Sequence, residues 1–332
     1  MSTDETGGDR LRSTGLEQMT VAQIRVLSFD WSEEAPEWAF VERDSRVSVR
    51  RLAVQARKQW ARQRAEQARI KELLQFEQRL WARGVQWVAG VDEAGRGCLA
   101  GPVVAAAVVL HPNVELPGLD DSKKLSTRKR EMLYDAILAQ ALSTSVAKVA
   151  PQEIDQLNIL QASLKAMRKA IDGLKIVPNH VLVDGHIRPG TCLEETALVE
   201  GDARSLSIAA ASVLAKVYRD RLMVEFDETY PDYGFAGHKG YGSPDHLEAL
   251  RLNGPCKLHR HSFAPVAQLL GPKRSEAYMS FADGLEAADS PEELERMGHF
   301  IKEATGYVLE DELRALRVLY RKRLAALKGV GR

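Results

Sequence analysis

A run of eight apolar residues, Val103 to Leu110, limits how this chain can fold more than any other segment. The run consists of valine, alanine and one leucine, and it is far shorter than the ~20 residues that a membrane-spanning helix needs. Valine favours extended backbone, and a short continuous apolar run is typical of a strand that is buried on both faces. The run therefore predicts a buried strand in a sheet that has helices packed against it.

The segments around this run predict the rest of an α/β fold. Strands are predicted at 85–91, 143–149, 180–183 and 197–199, and helices at 158–171 and 206–217. Short connections allow the first three strands to be antiparallel, whereas the longer connections that follow allow parallel pairs. We therefore expect a mixed sheet flanked by helices.

Composition divides the chain into three predicted parts. Residues 1–83 contain a polar tail, a capping box at Thr20–Gln23 and one or two long helices. Residues 84–272 contain the predicted strands. Residues 273–332 are predicted to form a helical tail, in which Ser290 and Pro291 mark a helix start.

The balance of charges hides a local asymmetry. The chain has 46 basic and 46 acidic residues, but the segment from Arg50 to Arg83 has ten Lys or Arg against three Glu. Such a stretch can bind phosphates, although a run of charge is more commonly a solvated helix face. Three cysteines do not suit a disulfide scaffold, and the first 15 residues do not resemble a signal peptide. We therefore expect a cytoplasmic protein without a membrane span.

Four acidic residues stand at the ends of predicted strands or just before a predicted helix. Asp92 and Glu93 follow one strand, and Asp184 ends another. Asp202 precedes a helix. Each alone is explained by a turn, a helix cap or the surface. If the four converge they repel one another, and a divalent cation offsets that repulsion.

Carboxylate oxygens are hard ligands, and they favour Mg²⁺ or Mn²⁺. No cluster of His and Cys has the spacing of a zinc site, since Cys98, Cys192 and Cys256 lie far apart in sequence. A site of this kind suits phosphoryl chemistry, in which two metal ions can activate a water molecule and stabilise the leaving oxygen.

A glycine-rich segment follows the first acidic pair. Residues 95–100 fit the dinucleotide pattern G-x-G-x-x-G/A, but that pattern requires a helix, and here Gly101, Pro102 and a strand follow. A nucleotide-cofactor site is therefore disfavoured. The glycines allow the backbone to approach a phosphate or sugar closely, and Arg96 between them could bind phosphate.

Together with further motifs, these residues resemble the type 2 ribonucleases H, the ribonuclease HII family. The motifs, in family order, are VDEAGRG at 91–97, GPVVA at 101–105, DSKKL at 121–125, VDG at 183–185, GD at 201–202, SIAAASVLAKVYRD at 207–220, YP at 230–231, HKGYG at 238–242 and HRHSF at 259–263. The resemblance implies a ribonuclease H-like fold with a mixed five-stranded sheet flanked by helices. It also implies an endoribonuclease that cuts 5′ of ribonucleotides in RNA/DNA hybrids, and of single ribonucleotides in duplex DNA, leaving 3′-hydroxyl and 5′-phosphate ends.

The resemblance also assigns roles to residues of this chain. The family's metal-binding catalytic acids fall on Asp92, Glu93, Asp184 and Asp202, with Mg²⁺ or Mn²⁺ in a two-metal arrangement. The tripeptide that reads the ribonucleotide junction falls on Gly95, Arg96 and Gly97. Lys123 matches a phosphate-contacting lysine, although Lys124 beside it could substitute, and Tyr241 matches a tyrosine that packs on the next deoxyribose.

The two ends of the chain leave alternatives open. Residues 1–83 loosely resemble the N-terminal extension of longer bacterial members, and their basic balance suits added contacts to a duplex. Residues 273–332 match no motif and could grip nucleic acid, bind a protein partner or cover the catalytic core. No obligate protein partner is implied. A catalytically silent nucleic-acid-binding protein on the same scaffold is the alternative function.

Overall fold

The computed structural model describes residues 15–271, 274–303 and 308–329. The chain forms two compact units that divide after His246. The predicted parts 1–83, 84–272 and 273–332 remain a prediction. None of the helices in the described ranges has the length and apolar character needed to span a membrane.

The first unit contains a mixed sheet. Its strands are β1 (Val88–Ala94), β2 (Val103–Val109), β3 (Ser143–Val149), β4 (His180–Asp184) and β5 (Glu194–Leu198). In the described part of the chain the sheet has five strands in the order β3-β2-β1-β4-β5. The pairs β1–β2 and β2–β3 are antiparallel, and β1–β4 and β4–β5 are parallel. The predicted mixed five-stranded sheet is therefore confirmed.

Helices precede and flank this sheet. In the first unit they are α1 (Val21–Leu27), α2 (Glu37–Arg43), α3 (Val47–Leu73), α4 (Gln75–Trp81), α5 (Thr127–Gln140), α6 (Pro151–Leu157), α7 (Ile159–Asp172), α8 (Leu206–Thr229) and α9 (Phe235–His238). The capping box at α1 is present, since Gln23 and Thr20 hydrogen-bond each other's backbone N–H groups. The helices expected at 158–171 and 206–217 are confirmed as α7 and α8. The sequence patterns did not predict α5 and α6.

The apolar run forms β2, which lies between β3 and β1. All residues of β2 are buried, as predicted. The first five residues of β1 are buried as well. Gly90 of β1 explains this burial, because a Cβ on it would lie 2.2 Å from the backbone carbon of Ser207 in α8. The glycine lets α8 pack directly on the strand, and this contact covers β1.

The N-terminal helices contribute to two different cores. Residues of α1, α2 and the start of α3 pack around Trp38, whose ring meets those of Trp31 and Trp60 edge to face at 5.1 Å. Leu73 at the end of α3 instead packs with the core of β2 and α8, and Leu80 of α4 packs with the core of β1 and β4. The last part of the segment 1–83 therefore packs as part of the sheet's own core.

A half-buried carboxylate in the second half of α3 holds the loop before α5. Glu66 accepts hydrogen bonds from Arg69 at 2.7 Å and from the backbone N–H of Gly118 at 2.6 Å. Arg69 also donates to the carbonyl of Leu119 at 2.7 Å. The Arg69 hydrogen bond and charge, with help from Gly118, outweigh burial and lower the pKa of Glu66 to about 2. The ionised carboxylate is therefore the form that stabilises this contact.

The second unit is helical. It contains the end of α10 (Pro244–Asn253), then α11 (Ala264–Leu270), α12 (Glu276–Ala287), α13 (Pro291–Glu303) and α14 (Glu310–Gly329). Leu285, Leu294 and Leu316, from α12, α13 and α14, form its core. Ser290 caps α13 by accepting from the N–H of Glu293 at 3.2 Å, so the predicted helix start is confirmed.

We predict that Glu66→Gln makes stability less dependent on acid pH. The folded-state pKa of Glu66 lies below its ordinary value, so its stabilising effect is present above about pH 4.5 and is lost as the pH falls toward 2. At pH 7 the variant should lose about 1–2 kcal/mol in the free energy of unfolding, and the difference from wild type should shrink toward pH 2. Urea unfolding at several pH values measures this. Glu72→Gln, at an exposed position of the same helix, is the control. A difference that stays constant from pH 7 to pH 2.5 would contradict the prediction.

Candidate active site

The register of two parallel strands brings the first acidic residues together. Val91 of β1 pairs with Val183 of β4, so the next residues, Asp92 and Asp184, lie side by side at one edge of the sheet. Neighbouring strands are about 4.8 Å apart. Glu93 is the residue after Asp92 within β1, and its backbone N–H donates to Asp92 Oδ1 at 2.7 Å. Three of the four predicted acids therefore share this edge.

The fourth acid is carried by a short turn after β5. Asp202 lies in the 3₁₀ turn Gly201–Ala203, and the N–H of Gly201 donates to Asp184 Oδ1 at 2.7 Å. This hydrogen bond holds the turn against the end of β4. Asp202 is not the cap of α8, since Ser205 accepts from the N–H of Ile208 and fills that position. The structure thus places Asp202 beside Asp184.

Burial and mutual repulsion raise the pKa values of three of these acids. The pKa of Asp92 is raised well above its usual range by burial and by the charges of Glu93 and Asp184, although Ser212 donates a hydrogen bond that opposes this. Burial raises the pKa of Glu93, with Arg96 opposing and Asp184 adding to the rise. The pKa of Asp202 is raised by burial and by Asp184. Asp184 acts on all three, so the four carboxyl groups form one cluster.

Two cations reach this cluster. Lys123 Nζ lies 3.6 Å from Asp202 Oδ2, and its side chain is 83% exposed. Partial burial lowers its pKa, but the nearby carboxylates, Asp202 first among them, outweigh that and raise the pKa of Lys123. Arg96 lies 3.4 Å from Glu93 Oε1. The cluster of acids therefore attracts positively charged side chains at this edge of the sheet.

The donor set suits a hard divalent cation, since four clustered carboxyl groups with raised pKa values supply oxygen ligands and negative charge. Across the described residues, however, no three His, Cys, Asp or Glu side chains are placed so that they could hold a metal ion together. The carboxyl groups are neighbours without forming a coordination shell. The prediction that they are metal ligands remains a prediction.

The glycine-rich loop after β1 is held by a buried arginine. Arg219 of α8 is fully buried and donates to the carbonyls of Pro102 at 3.0 Å, Ala100 at 3.0 Å and Lys239 at 2.9 Å. Gly95 has a φ of +85°, and a Cβ on it would lie 1.9 Å from Nε of Arg219. Gly95 is therefore required by the packing of this loop.

Gly97 stands in a different environment from Gly95. A Cβ on Gly97 would meet no atom within 4 Å. Packing within the protein therefore does not explain a glycine at this position. The open space around Gly97 leaves room for a bound molecule to approach the backbone closely.

Tyr241 lies next to this loop. The preceding residue, Gly240, accepts from the N–H of Leu99 at 2.8 Å, which pins the tyrosine segment to the loop. Lys216 Nζ lies 5.4 Å from the centroid of the Tyr241 ring, and Tyr241 as a whole residue is 43% exposed. The ring of His246 hydrogen-bonds the carbonyl of Tyr241 at 2.8 Å. An aromatic face is thereby held at a fixed place beside residues 95–100.

Sequence reasoning missed several residues that shape this site. Arg219 and Ser212 both lie on α8, where a buried polar residue leaves no periodic signal of its own. Ser212 hydrogen-bonds Ser122 at 2.8 Å and also contacts Asp92. Asp121 raises the pKa of Asp202. Their places in the motifs at 121–125 and 207–220 were the signal that could have indicated these residues.

Comparison with known proteins links these features to one family. Residues 89–266 match the family model described as Ribonuclease HII, and residues 20–81 match that of the Ribonuclease HII N-terminal domain. Ribonuclease HII of Desulfitobacterium hafniense is 47% identical over 260 residues, which cover 77% of this chain and 98% of that protein. Ribonuclease HII of Geobacillus thermodenitrificans is 48% identical over 257 residues, covering 77% and 99%. The crystal structure of ribonuclease H2 from Pyrococcus horikoshii superposes with a TM-score of 0.50 at 27% identity, covering 55% of this chain and 97% of that one.

We predict that alanine destabilises the protein at Gly95 but has little effect on its stability at Gly97. Gly95→Ala should lower the free energy of unfolding by about 2–4 kcal/mol, because the new Cβ collides with Arg219 and the backbone has a positive φ. Gly97→Ala should change it by less than about 0.5 kcal/mol. Urea unfolding measures both. Equal losses of stability would show that Gly97 is also fixed by packing.

Proposed function

Because the chain belongs to the ribonuclease HII family, we propose that it hydrolyses the phosphodiester bond 5′ of ribonucleotides, both in RNA/DNA hybrids and at single ribonucleotides embedded in duplex DNA. The chain is an endoribonuclease of this family. We propose in addition that it acts on these two kinds of substrate and leaves a 3′-hydroxyl and a 5′-phosphate. Such nicking would start the removal of ribonucleotides from DNA. The observation that carries the proposal is the clustering of Asp92, Glu93, Asp184 and Asp202 at one edge of the sheet.

The four acids would hold Mg²⁺ or Mn²⁺, and a pair of such ions supplies an activated water and a stabilised leaving oxygen. Asp92 and Asp184 would form the centre of this ligand set, since adjacent strands fix their backbones. Asp202 would complete it from the turn that Asp184 holds. The raised pKa values support this assignment, because carboxyl groups that repel one another gain most from a bound cation.

Gly95, Arg96 and Gly97 would read the ribose. RNA differs from DNA by its 2′-hydroxyl, which both donates and accepts hydrogen bonds. The open space around Gly97 supports a close approach of the backbone to that group in the minor groove. Arg219 keeps the loop in place from beneath.

Tyr241 and Lys123 would position the strand on either side of the cut. The Tyr241 ring would pack on the sugar that follows the ribonucleotide, where an added hydroxyl would clash, and its held position beside the loop supports this role. Lys123 is exposed next to Asp202 and would contact a phosphate. The enzyme would therefore prefer a step from ribonucleotide to deoxyribonucleotide.

The alternative of a catalytically silent protein that only binds nucleic acid is not supported, because the chain belongs to a family of ribonucleases.

We expect nicking of a DNA duplex that contains one ribonucleotide, with cleavage on its 5′ side and only with added Mg²⁺ or Mn²⁺. Asp92→Asn should lower kcat by at least about 10²-fold, because it removes one of the clustered charges. Gel analysis of an end-labelled duplex measures both effects. Asp135→Asn, which makes the same change at an exposed position of α5, is the matched control. Cleavage that persists in a chelator, or that also occurs in an all-DNA duplex, would contradict the proposal.

The basic face of α3 would add contacts to the duplex backbone. Arg51, Lys58 and Arg62 are exposed, and their spacing puts them on one face of the helix. Three other arginines of α3 form ion pairs within the protein, namely Arg57 with Glu42, Arg64 with Glu33 and Arg69 with Glu66. The exposed three are therefore the residues that this proposal assigns to phosphates.

We predict that replacing Arg51, Lys58 and Arg62 by glutamine weakens duplex binding and lowers its salt dependence. Losing three phosphate contacts should reduce the slope of log K against log salt by roughly 2–3. Affinity measured at several salt concentrations checks this, and kcat should not change. The control replaces three exposed lysines elsewhere, Lys148, Lys169 and Lys175. If the slope stays at the wild-type value, or falls equally in the control, α3 does not bind the duplex.

A further inference from the structure

A fully buried glutamate of α4 collects hydrogen bonds from the start of α8. Glu77 has no exposed surface. Its Oε1 atom accepts from the hydroxyls of Ser205 and Ser207, each at 2.6 Å, and from the backbone N–H of Ser207 at 3.0 Å. Glu77 lies in the N-terminal segment, outside the residues matched by the main family model.

These hydrogen bonds act on the segment that carries an acid of the candidate site. Ser205 is the N-terminal cap of α8, and its backbone N–H donates to the carbonyl of Gly201 at 2.8 Å. Gly201 begins the turn that contains Asp202, and its own N–H donates to Asp184. A continuous chain of contacts therefore runs from Glu77 through Ser205 and the turn to two of the four acids.

The start of α8 is also fixed from the opposite side. Ser207 packs against β1 at Gly90, where no Cβ would fit. The start of α8 thus lies between β1 and Glu77 of α4. Leu80, one turn after Glu77, packs with Val88 and Ile208 in the same region.

A carboxyl group is a costly choice for a residue that only fills space. Its Oε2 atom is buried and has no hydrogen-bond partner among the described residues. An apolar side chain of similar size would avoid this cost. What the carboxyl group supplies instead is an acceptor for the free N–H and hydroxyl donors at the positive end of a 24-residue helix. Hydrogen bonds are directional, so the Glu77 carboxylate fixes the orientation of the start of α8 and does not merely fill space.

We propose that Glu77 is a positioning residue that holds the turn of Asp202 in place for cation binding, acting through Ser205. The proposal rests on the proposed function, in which Asp202 is a metal ligand. In this proposal α4 supports the geometry of the four acids in addition to being part of the N-terminal segment. Outer residues of this kind change metal affinity or activity by about 10- to 100-fold when they are removed.

The test compares Glu77→Ala and Glu77→Gln with wild type, and uses Leu80→Ala as the matched control. Leu80→Ala removes a buried side chain from the same helix but no hydrogen bond to α8. Mn²⁺ binding to the protein without nucleic acid is measured by titration calorimetry, below the unfolding temperature of every variant. Nicking of the single-ribonucleotide duplex gives kcat and KM, and thermal unfolding gives stability.

We expect Glu77→Ala to weaken Mn²⁺ binding at least tenfold and to lower kcat by a similar factor, with KM for the duplex changed less than twofold. Glu77→Gln keeps an acceptor oxygen and should recover most of both losses. Leu80→Ala should lower the unfolding temperature while keeping wild-type Mn²⁺ affinity. If Glu77→Ala does not fold, Ser205→Ala replaces it, since it breaks the same chain of contacts and should shift Mn²⁺ affinity in the same direction.

Several results would overturn the proposal. A folded Glu77→Ala variant with wild-type Mn²⁺ affinity would do so, as would a Leu80→Ala control that loses as much affinity. Wild type that binds Mn²⁺ but does not nick the duplex would refute the proposed function alone, because the Mn²⁺ affinities would still decide the role of Glu77. Wild type that binds no Mn²⁺ would overturn both.

Discussion

The parallel pairing of β1 with β4 is the constraint on which the candidate site depends. Because Val91 lies beside Val183, the next residues are two aspartates held about one strand spacing apart, and neither can move away without breaking the sheet. The sheet thus forces like charges together in a poorly hydrated place, which raises the pKa of Asp92. The folding energy of the sheet sustains this repulsion, and the same repulsion gives the edge its affinity for positive charge.

Other contacts extend this constraint to the surrounding loops. Arg219 gathers three carbonyls from two separate loops, so the glycine-rich loop and the segment before Tyr241 share one anchor. Lys216, one helical turn earlier on α8, lies beside the Tyr241 ring and is itself held by Asp220 at 2.8 Å. One face of α8 therefore supports both the loop that would read the ribose and the ring that would read the next sugar. Selectivity and catalysis would share a single rigid support.

The sequence predicted most of the sheet and all four clustered acids, for reasons that differ from element to element. The apolar run predicted β2 because a strand buried on both faces leaves no polar positions. The acids were found because polar residues at the ends of apolar strands are conspicuous. Helix α5 escaped because only Leu133 and Ile137 are buried in it, which leaves too weak a stripe to identify. The role of Arg219 could not be predicted, since its partners are backbone carbonyls distant in sequence, and a carbonyl carries no signature in the sequence.

The N-terminal segment shows where composition and packing differ. Its basic charge and lack of glycine or proline from Ser45 to Arg83 predict one or two long helices without a boundary between cores. Packing instead separates a first core around Trp38 from the end of the segment, where Leu80 and Glu77 lie against the sheet and the start of α8. The basic charge of this segment comes from its exposed residues, whereas the few residues that face inward decide which core each helix packs against. A boundary drawn from charge therefore falls after α4, although the side chains that α4 buries pack with the sheet. Removal of residues 1–83 would therefore disturb the four acids as well as any binding of the N-terminal segment to the duplex.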